Sequence, residues 1–311
     1  MNRIWIIAER EFADSIRSKR FIVVVGIFIL MFMLNLSMLS FASQVSELSL
    51  EDLFLQTSIS NLTFIASLLG IALGFSAISG EREKGTLLLI LSRPVSRDQV
   101  LNGKTLGALA VIALSLFSSY FILIGLGMAG FNLAIDLDKV VRGALVLIFI
   151  LLYSLVFYLA SMFFSVISRR SSRSMVLALV FWIIMIIILP LIAFIVGTAL
   201  AGPMPIGEEN IEAQMEYWQK VSQIQASILS FTPDTNLQSI MRNLLGTPSP
   251  YGVEVQVSVN ETTTTTPPPP EAKSIPQAII DSALNILVLI VYVVVFYGLS
   301  YMFFVARKEE K

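Results

Sequence analysis

Residues 80–104 read GEREKGTLLLILSRPVSRDQVLNGK and lie between two long hydrophobic runs. Charge is dense here and absent from the flanks: Glu81, Arg82, Glu83, Lys84, then Arg93, Arg97, Asp98 and Lys104. Inside it sits Leu87-Leu88-Leu89-Ile90-Leu91, an apolar ridge far shorter than the roughly 20 residues a membrane span needs. Such a ridge left bare would promote aggregation, so it is expected to bury itself against protein. Ser96-x-x-Gln99 forms a capping box, with Val95 and Val100 as its staple, which predicts a helix starting at Arg97 and running into the next apolar segment. Pro94 restricts Arg93 and separates the two helices. A short docking helix, a break and a long helix is the layout of a loop that carries a push from a soluble partner into the membrane.

The composition supports a membrane setting. The chain has 311 residues, 56% hydrophobic and 14% charged, against roughly a quarter charged in soluble domains. It contains no Cys and no His, which excludes disulfides and thiol or imidazole catalysis and removes the usual zinc ligands. No catalytic residue and no metal site is expected.

Six apolar runs are long enough to cross a bilayer: Phe21–Ala42, Thr57–Ser79, Leu106–Phe131, Gly143–Ser168, Met175–Ala201 and Gln277–Ala306. An even number puts both termini on one face. Sixteen of the 21 Lys and Arg residues fall on the face that holds the termini and the 80–104 loop, so the positive-inside rule makes that face cytoplasmic. The expected fold is thus an all-α integral membrane protein with six transmembrane helices. Residues 1–20 form an amphipathic interfacial helix, 21–201 hold spans 1 to 5 with the coupling loop 80–104, 202–276 form a small external domain, 277–306 make span 6, and 307–311 are a cytoplasmic tail.

The interfacial helix is read from Trp5, Ala8, Phe12 and Ile16 on one side and Arg3, Arg10 and Arg17 on the other. No small-residue cleavage site follows a short apolar core, so no removed signal peptide is expected. In the external segment, Glu208–Phe231 is amphipathic, with a stripe of Ile211, Met215, Trp218, Val221, Gln225 and Ile228. Thr232-Pro233 reads as the cap and first residue of a second helix bearing Leu237, Met241 and Leu244 and closed by Gly246. Val253, Val255, Val257 and Val259 alternate with polar residues as in a strand. Asn260–Pro270, NETTTTTPPPP, reads as a solvated linker that opens on a glycosylation sequon.

Gly103-Lys104-Thr105 looks like the end of a phosphate loop, but the glycine required five residues earlier is Asp98, so ATP is not expected to bind here. None of the six runs carries a charge near its centre, which argues against an ion-coupled carrier. Uncharged polar residues do occur there, including Asn35 and Ser37, Ser58 to Ser67, Ser115 to Tyr120, and Asn285. Interhelical hydrogen bonding is the favoured reading, with Asn35, Asn61, Ser67 and Ser118 kept as a candidate translocation path. Gly70-x-x-x-Gly74 permits close helix approach within one subunit, and Pro190 should kink the fifth run.

At Glu81, Glu83, Gly85 and Thr86, then Pro94, Val95, Ser96 and Arg97, then Gly103 and Lys104, the sequence resembles the ABC type-2 permease family. There the loop between the second and third spans carries an E-x-E-x-G-T run, a P-V-S-R run and a G-K pair. The match is close across 80–104, and elsewhere only the pattern of spans agrees. The resemblance implies that the loop docks on a separate ABC ATPase through Glu81, Arg82, Glu83, Lys84, Gly85, Thr86, Leu87, Leu88, Ile90, Leu91, Arg93 and Arg97. It also implies two ATPase copies, a second permease subunit as homo- or heterodimer, and ATP and Mg on the partner with no cofactor on this chain. Export of an amphipathic or apolar substrate across the cell membrane fits the uncharged interior; membrane lipid is a partner and nucleic acid is not. The rival readings are an ATP-independent channel or scaffold, and a membrane-embedded lipid-modifying enzyme.

Overall fold

The computed structural model describes residues 3–18, 26, 50–87, 96–131, 133–205, 211–246 and 273–306. Among these every regular element is helical. Five helices are long and apolar enough to cross a bilayer: Phe54–Glu83, Arg97–Ala129, Leu137–Ile167, Ser171–Ala201 and Ala283–Val305. They correspond to the second through sixth apolar runs. The first run, Phe21–Ala42, lies outside the described residues, as do the alternating valines and the Thr/Pro-rich linker. The chain forms two compact units, one of Met1–Phe181 with Leu289–Lys311 and one of Trp182–Val288.

The first unit contains α1 (Arg3–Ile16), α2 (Leu50–Gly74), α3 (Ser79–Glu83), α4 (Arg97–Phe131), α5 (Leu137–Ile167) and most of α6 (Ser171–Ile183). Its core is the α2–α5 pair. A Cβ added to Gly70 would stand 2.5 Å from the Ser154 carbonyl oxygen, and one added to Gly74 would stand 2.5 Å from that of Tyr158. The Gly70-x-x-x-Gly74 pair therefore brings two backbones together inside one chain.

The close approach lets serines bridge the seam. Ser154 Oγ donates to the Ala66 carbonyl at 2.6 Å and Ser161 Oγ to that of Ile71 at 3.1 Å. In an apolar setting a hydroxyl needs a partner, and here the facing helix supplies it. Around the pair, Tyr153, Phe157 and Tyr158 are fully buried. Tyr120 of α4 donates its hydroxyl to the Val140 carbonyl of α5 at 3.0 Å, which fits because Gly143 leaves room for the ring.

α1 lies against α4. A Cβ on Gly103 would meet Ile7 Cβ at 2.7 Å, and one on Gly107 would meet the Ala8 carbonyl oxygen at 2.7 Å. The face packed on α4 is Ile4, Ile7, Ala8 and Glu11; of the expected apolar stripe it shares Ala8, while Trp5 is 64% exposed. Two glycines one turn apart accept a small residue and the helix backbone, and an indole would hold them off.

The second unit holds a π turn (Ile184–Ile188), α7 (Leu189–Ala201), α8 (Ile211–Leu229), α9 (Pro233–Leu245), α10 (Ile275–Asp281) and the first residues of α11 (Ala283–Ala306). Pro190 is the second residue of α7, with Leu189 alone between it and the end of the π turn. Its ring would clash with the carbonyl four residues back, and the wider turn takes up that clash. α8 packs on α7 where Val221 and Gln225 meet Gly197. Those two are the buried part of the predicted stripe, whereas Met215 and Trp218 are exposed.

α9 begins and ends as expected. The Thr232 side chain accepts from the Thr235 N–H, Pro233 opens the helix, and Gly246 closes it in the left-handed region at φ 68°. Leu237, Met241 and Leu244 are buried, and α9 also touches the π turn. The sixth run is not one continuous helix. It breaks at Ser282, where the Ser282 hydroxyl accepts from Asn243 Nδ2 at 2.9 Å, leaving α10 and α11 as separate helices.

Candidate functional site

The helix start expected at the loop's far end is present, while the break expected at Arg93 and Pro94 lies outside the described residues. α4 starts at Arg97, and the Gln99 side chain accepts from the Ser96 N–H at 3.3 Å, the return half of a capping box. Val100 is buried beneath it. At the near end α2 stops at Gly74, a turn covers 75–78, and α3 begins at Ser79. α3 has no side-chain cap of its own. Ser165 Oγ of α5 accepts instead from the N–H groups of Ile78 at 3.0 Å and Ser79 at 2.8 Å.

Three consecutive charges then leave α3 for three different places. Glu81 Oε1 lies 2.7 Å from Lys104 Nζ on α4. Arg82 Nη1 donates to the carbonyls of Val166 at 3.2 Å and Ser168 at 2.6 Å, the last acceptors of α5. Glu83 Oε2 accepts from the Ser171 N–H at 3.1 Å and the Ser171 hydroxyl at 2.9 Å, at the start of α6. Each charge has the sign that its helix end favours: a cation at the C-terminal end of α5 and an anion at the N-terminal end of α6.

Arg97 follows the same rule. Its Nη1 donates to the Phe304 carbonyl in the last turn of α11 at 2.6 Å, with the guanidinium 5.7 Å from the Phe304 ring centroid. Tyr297 of α11 donates its hydroxyl to Asn102 Oδ1 of α4. The ends of three helices, α5, α6 and α11, are thus tied to residues of one loop.

Lys104 is the deepest of these charges. Its side chain is 4% exposed, and its ammonium sits 2.8 Å from Glu11 Oε2 of α1 as well as 2.7 Å from Glu81. An ammonium taken out of water needs compensation of this kind, and two carboxylates provide it. The second oxygen of Glu81 is buried without a hydrogen-bond partner among the described residues. Glu81 therefore pairs with Lys104, not with Lys84 as an ordinary solvated helix end would.

Glu11 carries no signal in the stretch that first drew notice. The signal lay in α1, where a carboxylate completes the face Ile4, Ile7, Ala8, Glu11 at helical spacing. Lys104 was legible as a motif residue, but its burial was not.

Lys84 and Gly85 are exposed, with Gly85 at φ 72°, a conformation natural to glycine. Thr86 Oγ1 donates to the Glu81 carbonyl at 3.2 Å. Leu87 is 1% exposed, so its side chain belongs to this chain's own core. Leu88, Ile90, Leu91 and Arg93 lie outside the described residues.

Three of the four polar residues singled out for a path are among the described residues. Ser67 is fully buried and donates to the Phe64 carbonyl of its own helix, Ser118 faces outward and donates to its own helix, and Asn61 is half-buried. Asn35 lies outside the described residues. No group of three or more His, Cys, Asp or Glu residues suited to a metal ion occurs among the described residues.

The family model for ABC-2 family transporter proteins matches residues 5–308, almost the whole chain. The chain belongs to the ABC-2 transporter family. It is similar to the probable ABC transporter permease protein NosY of Stutzerimonas stutzeri, 32% identical over 148 residues, which is 47% of this chain and 50% of that protein. It is also similar to the protein of the same name from Pseudomonas aeruginosa PAO1, 36% identical over 131 residues, 40% of this chain and 44% of the relative. The matched region spans about half the length of these curated relatives.

As an ABC-2 permease the chain is a multi-pass membrane subunit of an ABC transporter. Permeases of this family have no ATPase domain of their own and partner with ATP-binding subunits.

Proposed function

We propose that the 80–104 loop is the seat of the ATPase subunit and that this permease turns ATP-driven movement of that subunit into export of an amphipathic or apolar substrate. On this reading the loop and both termini face the cytoplasm, and the chain works in the cell membrane as a dimer, with itself or a sister permease. Two ATPase copies, each using ATP and Mg, lie beneath.

One observation carries the reading. The loop bonds to α4 through Glu81, to the end of α5 through Arg82 and to the start of α6 through Glu83, and farther along to the last turn of α11 through Arg97. A surface loop with only a solvated role has no need of four such ties. A displacement applied at Lys84 and Gly85 would be distributed among several helices at once. The spans carry uncharged polar residues and no central charge, which suits a cargo that is itself largely apolar.

The test is to replace Leu88 and Ile90 by Asp. The permease should still insert, and the ATPase should no longer copurify from mild detergent. Retention of the ATPase with nucleotide hydrolysis still coupled would remove the loop from the docking role and return the chain to the ATP-independent scaffold reading.

A further inference from the structure

We infer that Arg169, Arg170 and Arg173, at the turn from α5 into α6, form a binding site for an anionic phospholipid, whose phosphate sits among the three guanidiniums and whose acyl chains lie along the exposed apolar face of α6. The inference stands apart from the loop reading. It requires only that the chain spans a membrane, not that the ATPase sits on the loop.

The charge here is concentrated and largely uncompensated. Residues 167–176 read ISRRSSRSMV, three cations with no acid among them, and α6 has no acidic residue in its first turn. All three arginines are exposed, and Arg169 and Arg173 have no side-chain hydrogen bond or ion pair among the described residues. Arg170 lies near Glu83, whose carboxylate is already bonded to Ser171. Arg82 and Arg97 differ, since their guanidiniums are taken up by carbonyls at helix ends. A guanidinium that bonds nothing in its own chain keeps its donors for a ligand, and its planar fork matches the oxygens of a phosphate.

Exposed arginines on a water-facing surface need no ligand. These three are set apart by the surface they border. Ile167 before them and Met175, Val176 and Val180 after them are exposed apolar side chains. α6 opens the membrane-spanning stretch Ser171–Ala201, little of which is buried within the protein. Arg173, Val176 and Val180 fall on one face at helical spacing. Helix side chains lean toward the N-terminus, so Arg173 reaches from the edge of the hydrocarbon toward the headgroups. A cationic edge continued by a bare apolar face matches one lipid molecule, headgroup and chains together, better than a water-borne protein.

The complex of permease and ATPase, released in mild detergent, is titrated with phosphatidylglycerol or with phosphatidylcholine of the same acyl chains and read by native mass spectrometry. The spectra count bound lipid and show at once whether the ATPase and any second permease copy remain. The native complex should prefer phosphatidylglycerol by roughly ten-fold or more, since each basic residue near an anionic lipid contributes several-fold. In Arg169→Ala/Arg170→Ala/Arg173→Ala the preference should fall to about two-fold or less. Arg10→Ala/Arg17→Ala/Lys220→Ala removes three exposed cations elsewhere and should keep most of it. Should the first variant not assemble, Arg169→Gln/Arg173→Gln, which spares the residue beside Glu83, is read in the same way.

Equal retention of the two lipids by the native complex would overturn the inference. So would an equal loss in the two triple variants, which would make the preference a matter of net charge. Loss of the ATPase or of a permease copy with the lipid preference intact would make the arginines a protein contact instead. Displacement of the lipid by an equal concentration of glycerol 3-phosphate would also overturn it, because a headgroup held without its chains makes no use of the apolar face.

Discussion

Ser165 of α5 closes the start of α3 from across the seam, its hydroxyl accepting from the Ser79 N–H at 2.8 Å. It also accepts from the Ile78 N–H at 3.0 Å and donates to Ser79 Oγ at 3.0 Å. The first N–H groups of a helix have no intrahelical acceptor, and Ile78 at the cap position has no side chain to offer. Ser165→Ala should therefore leave buried donors unmet and cost about 1–3 kcal/mol. Limited proteolysis near Lys84 would read this as faster cleavage, with the rest of the chain still protected. Unchanged cleavage would mean that α3 does not depend on α5 for its cap.

Gly74 and Gly298 give opposite expectations for the same change. Gly74→Ala places a Cβ 2.5 Å from a backbone oxygen that has no rotamer by which to retreat, and destabilisation of about 1–3 kcal/mol is expected. Gly298, inside α11, has nothing within 4 Å of an added Cβ. Gly298→Ala should be neutral or stabilise by about 0.5–1 kcal/mol through helix propensity. Thermal unfolding of the two variants in one detergent checks both signs.

Asp281, ahead of the last span, accepts from Lys273 Nζ at 2.6 Å and from Gln277 Nε2 at 2.8 Å. The Lys273 hydrogen bond, helped by that of Gln277, holds its carboxyl below the ordinary value of 3.8. A carboxyl lowered on folding contributes stability that is present above the unfolded value and lost as pH falls through the folded one. The difference in melting temperature between the native chain and Asp281→Asn should thus be constant at neutral pH and shrink only below about pH 4. A difference that changes near neutrality would contradict the assignment.

Arg97 is the loop residue with the longest reach, to Phe304, a separation of 207 residues. Arg97→Lys keeps the charge but loses the planar group over the ring and the fixed donor geometry. It should weaken nucleotide-dependent coupling while the ATPase still copurifies. Arg97→Lys that behaves as the native chain would show that charge alone suffices at this position.

Much of this was legible locally. Thr232-Pro233 and Gly246 marked both ends of α9 because capping chemistry is written within a few residues. Ser96 and Gln99 marked the start of α4 for the same reason. Gly70-x-x-x-Gly74 announced a close approach, and its partner on α5 is part of the same chain.

What was not legible depends on partners distant in sequence. The spacing of Lys104 and Glu11, a separation of 93, carries no periodic signal, so their buried pairing was not legible. Trp5 dominated the apparent apolar face of α1 by size, yet the glycines of α4 select Ala8. The break in the last apolar run at Ser282 coincides with a bond from Asn243 of α9, a partner that no reading of the run by itself would reveal.

The central claim is that the 80–104 loop touches the ATPase. A photoreactive amino acid at position 84, which is exposed beside Gly85, tests this most directly in the intact membrane complex. The account predicts an ultraviolet-dependent crosslink to the ATPase subunit, lost when Leu88 and Ile90 are both changed to Asp. Crosslinks only to lipid or to this chain itself, with the ATPase present and active, would contradict it.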